Sequence, residues 1–189
     1  MTDSMMLNVR KRETELNMFD SEKELRIADI IGESIVDGPG YRMTVFTQGC
    51  PHHCVGCHNP HTHSFDGGKL ITVGEIIDRF RKNPLLSGIT LSGGEPVCQA
   101  GTCAEIAKAV HSLKKNVIVY SGYTFEQLYE MSKTNADVKD LLTNSDILID
   151  GKFDLSQRSL ELRFKGSKNQ RTLDLKASVT EGKAIEITI

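Results

Sequence analysis

Three short apolar runs separated by helix-forming stretches constrain this chain more than anything else in it. Residues 89–91 (ITL), 116–120 (NVIVY) and 147–149 (ILI) are too short for buried helices and rich in β-branched side chains. Such runs mark buried strands. Between the first two, residues 104–113 place Ile106, Ala107, Val110 and Leu113 on one side of a helix. Between the last two, Thr124 caps a helix to about Met131, and a second short helix runs to about Leu142. Strand, helix, strand with continuous apolar strands predicts parallel pairing through crossover helices.

Upstream, Leu25, Ile27, Ile30 and Ile31 suggest a first strand, and VDGPG (36–40) a turn that neither regular element can continue. YRMTVFT (41–47) alternates as a strand does. Thr72 with Glu75 three residues on is a capping box for a helix to about Lys82, stopped by Pro84, with Val73, Ile76, Ile77 and Phe80 on one face. RFKGSKNQR and the last thirteen residues are less regular and suggest short strands and a docked tail. The expected fold is α/β: an open, partial parallel β/α barrel of about five to six strands. A full eightfold barrel needs about 250 residues, and the chain has 189. Residues 1–24, polar and mixed in charge, read as a flexible extension; 25–189 read as a single domain.

Charge and hydropathy narrow the function classes. Lys and Arg number 23 against 25 Asp and Glu. That balance argues against a basic nucleic-acid face or a polybasic membrane surface. No run approaches the ~20 apolar residues of a membrane span, and the N-terminal stretch has no signal-like apolar core. A cytoplasmic protein is expected, binding neither nucleic acid nor membrane, with cysteines serving as thiols, metal ligands or catalytic groups.

The cysteines are unevenly placed. Cys50, Cys54 and Cys57 fall within eight positions, and five of the six histidines (His52, His53, His58, His61 and His63) within twelve. Thiolates are soft ligands that select zinc, copper(I) or iron–sulfur clusters. A structural zinc site closes with four protein ligands, so Cys50, Cys54, Cys57 and a nearby histidine form one candidate set. An iron–sulfur cubane usually takes four cysteines; three would leave one iron open to a substrate. Metal-free thiols are the third reading. The cysteine loop, SGGEP (92–96), YSGY (120–123) and Asp150-Gly151-Lys152 all follow predicted strands. In parallel sheets the carboxyl ends of the strands carry the chemistry, so four independent candidates share one edge.

VDGPGYRMTVFTQGCPHHCVGCHNP, SGGEP, VIVYSGYT, ILIDGKF and RFKGSKNQR run in this order between about residues 26 and 171. The C-x3-C-x2-C motif resembles the radical S-adenosylmethionine superfamily. The combination resembles, within it, the activating proteins of anaerobic ribonucleoside-triphosphate reductase. Gly56 stands where the superfamily commonly has an aromatic, as in those activases, and His63 stands where tryptophan is common. The resemblance implies a radical S-adenosylmethionine type of fold and an oxidoreductase activity that installs a glycyl radical. It implies a [4Fe–4S] cluster on Cys50, Cys54 and Cys57, with S-adenosylmethionine on the open iron. An electron from a flavodoxin or ferredoxin then releases methionine and a 5′-deoxyadenosyl radical. That radical takes a hydrogen from a glycine in the glycyl-radical subunit of the reductase.

Residue by residue, the resemblance assigns Gly93, Gly94 and Glu95 to the methionine amine. Gly56, Cys57, His58 and Asn59 line the adenine, and Asp150 and Lys152 contact the carboxylate or ribose. No catalytic side chain is implied beyond these cluster and cofactor ligands. Blander readings stand beside each: a plain turn for SGGEP, a solvated loop for His58, a structural ion pair for Asp150 and Lys152. His52 and His53 read as bystanders, Asp37 to Gly40 as a turn, and Cys98 and Cys103 as small residues opening a helix. Arg163, Lys165 and Arg171 are candidates for the partner or the carboxylate, and GSKNQR has no evident mechanism. Activation of another glycyl-radical enzyme such as pyruvate formate-lyase is the alternative within the same chemistry, though those activases are longer. A non-catalytic zinc-binding module is the alternative outside it.

Overall fold

The computed structural model describes residues 19–189. Its strands are β1 (Glu24–Ser34), β2 (Arg42–Thr47), β3 (Lys69–Thr72), β4 (Gly88–Gly93), β5 (Asn116–Ser121), β6 (Ile147–Asp150) and β7 (Arg171–Asp174). They form one sheet in the order β3-β1-β2-β4-β5-β6-β7. The expected parallel core is present: β2, β4, β5 and β6 pair in parallel. The expectation of five to six strands in a partial parallel barrel is corrected in count and direction. The sheet has seven strands, it is not closed, and β1, β3 and β7 run antiparallel to their neighbours. The link from β1 to β2 is the GPG turn, and a parallel crossover needs a dozen or more residues. A hairpin is what so short a link permits.

The helices are α1 (Val73–Arg81), α2 (Ala100–Ser112), α3 (Phe125–Ser132), α4 (Ala136–Thr143) and α5 (Leu175–Glu181). The capping box is present as read: Thr72 Oγ1 accepts from Glu75 N, and Glu75 returns the bond to Thr72 N. Thr124 and Gln127 form a second box at α3. Helix α2 begins four residues before the expected start. Its first turn, with Gly101 and Thr102, is polar in sequence but buried. Helix α5 was not expected. Asp174 caps it by accepting from Ala177 N, and left-handed Gly182 ends it. The tail docks as expected, through a bridge between Leu173 and Glu186.

Alternation along the strands assigns the two faces. Met43, Val45, Ile89, Leu91, Val117 and Val119 belong to one core cluster with Ile76, Ile106, Leu128 and Leu141 of the helices. Arg42, Thr44, Thr90 and Ile118 lie outside that cluster and face the other way. Helices on both faces would have required apolar residues throughout both; the second face mixes buried Ile118 and Ile149 with Arg42, Thr44 and Thr90. The second face is covered by loops. Gly38 packs against Ile118 and Arg42, and the Tyr120 hydroxyl donates to Phe164 O at 2.7 Å. Arg42, wholly buried, donates to Thr90 Oγ1, Asn116 Oδ1 and Ile89 O. Desolvation lowers its guanidinium to about 10.

Residues 1–18 of the expected extension, with Met5, Met6 and Met18, lie outside the described residues. Of the remainder, Phe19 packs on the core and Ser21 O accepts from Gly74 N at 2.8 Å. Glu24 already begins β1. Among the described residues no helix is long and apolar enough to cross a membrane.

Candidate cluster and cofactor site

Strand β2 delivers the cysteine loop, and backbone bonds close that loop on itself. Gly49 N donates to Thr62 O at 2.8 Å, Cys50 N to His63 O at 3.1 Å and Cys57 N to Cys54 O at 3.2 Å. Buried Gln48 ties down the far side, its amide donating to the carbonyls of His61 and Ser64. Burial pushes the Cys50 thiol up, and the backbone N–H groups of His52 and His53 partly offset this. Asn59 N donates to Cys57 Sγ at 3.4 Å. At Cys50 those two amides act in favour of the thiolate that ligation requires.

All three thiols line one cavity of about 150 Å³. Its other walls are the carboxyl ends of β4 (Ser92, Gly93, Gly94), β5 (Ser121, Gly122) and β6 (Gly151). The four segments expected on one edge therefore meet. A trough of about 450 Å³ adjoins it, sharing His58, Asn59, Tyr120 and Phe153, and extends across the loop-covered face to Asp37. There Asp37 accepts from Ser34 Oγ and Thr44 Oγ1, so it does more than shape the turn.

Three thiols facing one cavity match the donor set of an open cluster. A tetrahedral zinc draws four ligands to within about 2.3 Å of one point. A cubane seats each thiolate on a separate iron and needs them spread. Four of the loop's histidines have ring or hydrogen-bond partners. His52 bonds to Glu95, His53 meets His63 edge-on at 4.9 Å, and His58 packs on Phe153 at 5.0 Å.

Gly93 and Gly94 line the cavity as expected, but their small size answers first to this chain's own backbone. A Cβ on Gly94 would stand 2.4 Å from Gly49 O, and one on Gly93 would stand 2.6 Å from Phe46 Cα. Gly56, His58 and Asn59 flank the last cysteine where expected, with His58 and Asn59 in the cavity wall and Gly56 packed on Leu155.

Three of the expected residues have other partners in the structure. Glu95 is wholly buried beneath the site. Its Oε1 accepts from Ser121 Oγ at 3.0 Å and Val97 N at 3.1 Å; its Oε2 accepts from Gly122 N and His52 Nε2, each at 2.8 Å. Two bonds per oxygen fill a carboxylate's acceptor capacity. Asp150, 1% exposed, is held by Arg171 (Nε to Oδ1, 3.0 Å) and accepts from Phe125 N, so the structural ion pair is the reading that holds, with Arg171 as the cation. Lys152 is exposed and outside the cavity wall; its carbonyl accepts from Asn169 Nδ2. Only Gly151 of that segment reaches the cavity.

Sequence reading also passed over residues that the structure brings in. His52 is in the cavity wall rather than a bystander, as are Phe153 and Gln170, beside Tyr120 of the expected YSGY segment. GSKNQR acquires a mechanism as a clasp on the loop after β6. Gln170 accepts from Gly166 N and donates to Gly151 O, and Ser167 Oγ accepts from Asp154 N. Arg171 bridges Asp150 and Glu126. Buried Cys103 packs within α2, where desolvation pushes its thiol far above the ordinary cysteine range.

A family model described as a 4Fe-4S single cluster domain matches residues 36–173. The anaerobic ribonucleoside-triphosphate reductase-activating protein of Vibrio cholerae serotype O1 is 33% identical over 148 residues, covering 72% of this chain and 89% of that protein. The protein of the same name from Enterobacteria phage T4 is 33% identical over 144 residues (72% and 85%). The one from Escherichia coli strain K12 is 34% identical over 145 residues (72% and 90%). The crystal structure of QueE from Escherichia coli overlaps 58% of this chain and 57% of its own, with a TM-score of 0.43 and 14% identity.

Proposed function

The chain belongs to the anaerobic ribonucleoside-triphosphate reductase-activating proteins, and from that premise we propose which of its residues carry the activity. It is an iron–sulfur, S-adenosylmethionine-dependent activase whose target is the reductase. When bound, the cluster and S-adenosylmethionine supply the one-electron cleavage that yields the 5′-deoxyadenosyl radical, which takes a hydrogen from a glycine of the reductase.

Cys50, Cys54 and Cys57 hold the cluster. The observation that supports this is their sharing of one cavity with the ends of three parallel strands. Gly93 and Gly94 present backbone, not side chain, to the methionine end of the cofactor. Gly56, His58 and Asn59 form the adenine wall, where the Phe153 ring packs on His58. The loop after β6, clasped by Ser167 and Gln170, keeps that wall in place and limits water. The trough reaching Asp37 is where the target glycine would enter. A flavodoxin or ferredoxin supplies the electron, and the protein works in the cytoplasm.

The test is anaerobic. The protein is reconstituted with iron and sulfide and given dithionite, S-adenosylmethionine and the reductase. Methionine and 5′-deoxyadenosine are measured, and the glycyl radical is followed by electron paramagnetic resonance. The wild type forms both products and the radical, and Cys54→Ala forms neither. Full activity in Cys54→Ala would overturn the ligand assignment. A radical raised on pyruvate formate-lyase but not on the reductase would move the target.

A further inference from the structure

Among the described residues His52 is the side chain of the cysteine loop that bonds the Glu95 carboxylate, beside the backbone bond from Glu95 N to Gly49 O at 2.8 Å, and the site is built around its ring. The side chain is 6% exposed. Tyr123 meets it edge-on at 4.5 Å. A Cβ on Gly122 would fall 2.3 Å from ring atom Cδ2, so only glycine lets the strand end pass. The other donors to Glu95 come from the turn after β4 (Val97) and the end of β5 (Ser121, Gly122). The carboxylate therefore joins three segments, and His52 is the cysteine loop's share of that junction.

We propose that His52 is a positioning residue for S-adenosylmethionine, locking the cysteine loop in register with the ends of β4 and β5 through the saturated Glu95 carboxylate. The inference rests on the cofactor reading above and extends it to a residue with no part in ligation. The loop's own closure does not involve His52: the bonds Gly49 N to Thr62 O, Cys50 N to His63 O and Cys57 N to Cys54 O stand without it. The thiols thus stay together when the imidazole is lost. What is lost is the side-chain tie between the segment carrying Cys50 and Cys54 and the junction at Glu95; the loop's root stays held to residues 94 and 95 by the bonds Gly94 N to Thr47 O and Glu95 N to Gly49 O, each 2.8 Å. Removing the donor also leaves a buried carboxylate oxygen short of one partner, a cost borne where loop and sheet meet.

The experiment compares wild type, His52→Ala and His52→Gln, all reconstituted anaerobically. Iron per chain is measured first. S-adenosylmethionine is then titrated while the electron paramagnetic resonance spectrum of the reduced cluster is followed. His52→Ala should load iron as the wild type does yet need about ten-fold more S-adenosylmethionine for the spectral change, the equivalent of one hydrogen bond to a charged group. His52→Gln, which restores an N–H at similar reach, should return to within about three-fold of wild type. An alanine variant that titrates like the wild type overturns the proposal. If the alanine variant loads no iron, the glutamine variant decides: recovery of loading and response supports the brace, and failure like alanine's overturns it. A wild-type cluster that ignores S-adenosylmethionine would instead overturn the cofactor reading itself.

Discussion

Thr90 and Leu91 are neighbours on β4 and serve opposite halves of the molecule. Leu91 enters the apolar cluster beneath the helices. Thr90 faces the loops, accepting from Arg42 Nε and donating to Asp37 O. The same division runs along β2, where Met43 and Val45 alternate with Arg42 and Thr44. One face is cemented by apolar area, which is non-directional and strong in sum. The other is assembled from directional bonds between side chains and loops, and the cavity and trough open on it. Stability and chemistry are thus separated by a single residue of strand register.

The largest test of that separation lies on the helix face. Leu91→Ala should cost about 3 kcal/mol of stability, read from chemical denaturation of the unloaded protein. Iron loading at low temperature should stay near wild type. A variant that kept its stability but lost its cluster would break the comparison.

Next is Arg171→Met, which strips buried Asp150 of its cation and releases the clasp; about 2 kcal/mol is expected. It should also alter the acid response. Arg171 holds the Glu126 carboxyl down at about 2, largely by hydrogen bonding. A carboxylate depressed in the folded state adds stability above its ordinary value of about 4.3 and loses it as pH falls toward 2. The melting temperature of the wild type should therefore fall more steeply across that window than that of Arg171→Met. Equal slopes would remove Glu126 from the account.

Smaller effects separate the faces further. Thr72→Ala removes the α1 cap for about 1 kcal/mol, measured by thermal unfolding, with no change in the response to S-adenosylmethionine. Tyr120→Phe removes one bond to Phe164 O, worth about 0.5 to 1 kcal/mol. Faster amide hydrogen exchange should follow near residues 158–166 and leave α2 untouched. If exchange quickened throughout the sheet, the two faces would not be independent.

How far the sequence could be read follows the same line. Parallel strands, capping boxes and the cysteine triad are local patterns, and each was legible. Strand β3 was not, because four residues (KLIT) hold too little periodicity to register. Helix α5 was missed although both signals were present, Asp174 before it and Gly182 after. The antiparallel flanks depend on which strand lies beside which, and no local pattern carries that. Alternation in RMTVFT contains the polar second face, whereas the apolar runs of β5 and β6 read as buried on both sides.

By itself the sequence determined a loop of soft ligands, the parallel core and the edge on which they meet. Those follow from residue type, from spacing within one loop, and from the rule that crossovers carry every parallel strand end to one side. Only the tertiary structure decided the partners of the charged groups. Glu95 could have met a ligand, but four donors from three distant segments close around it. Asp150 could have paired with Lys152 two residues away, but Arg171, on the neighbouring strand β7, reaches it instead. A buried charge takes whichever partner the fold brings within hydrogen-bonding distance, and that distance is set by the register of strands far apart in the chain.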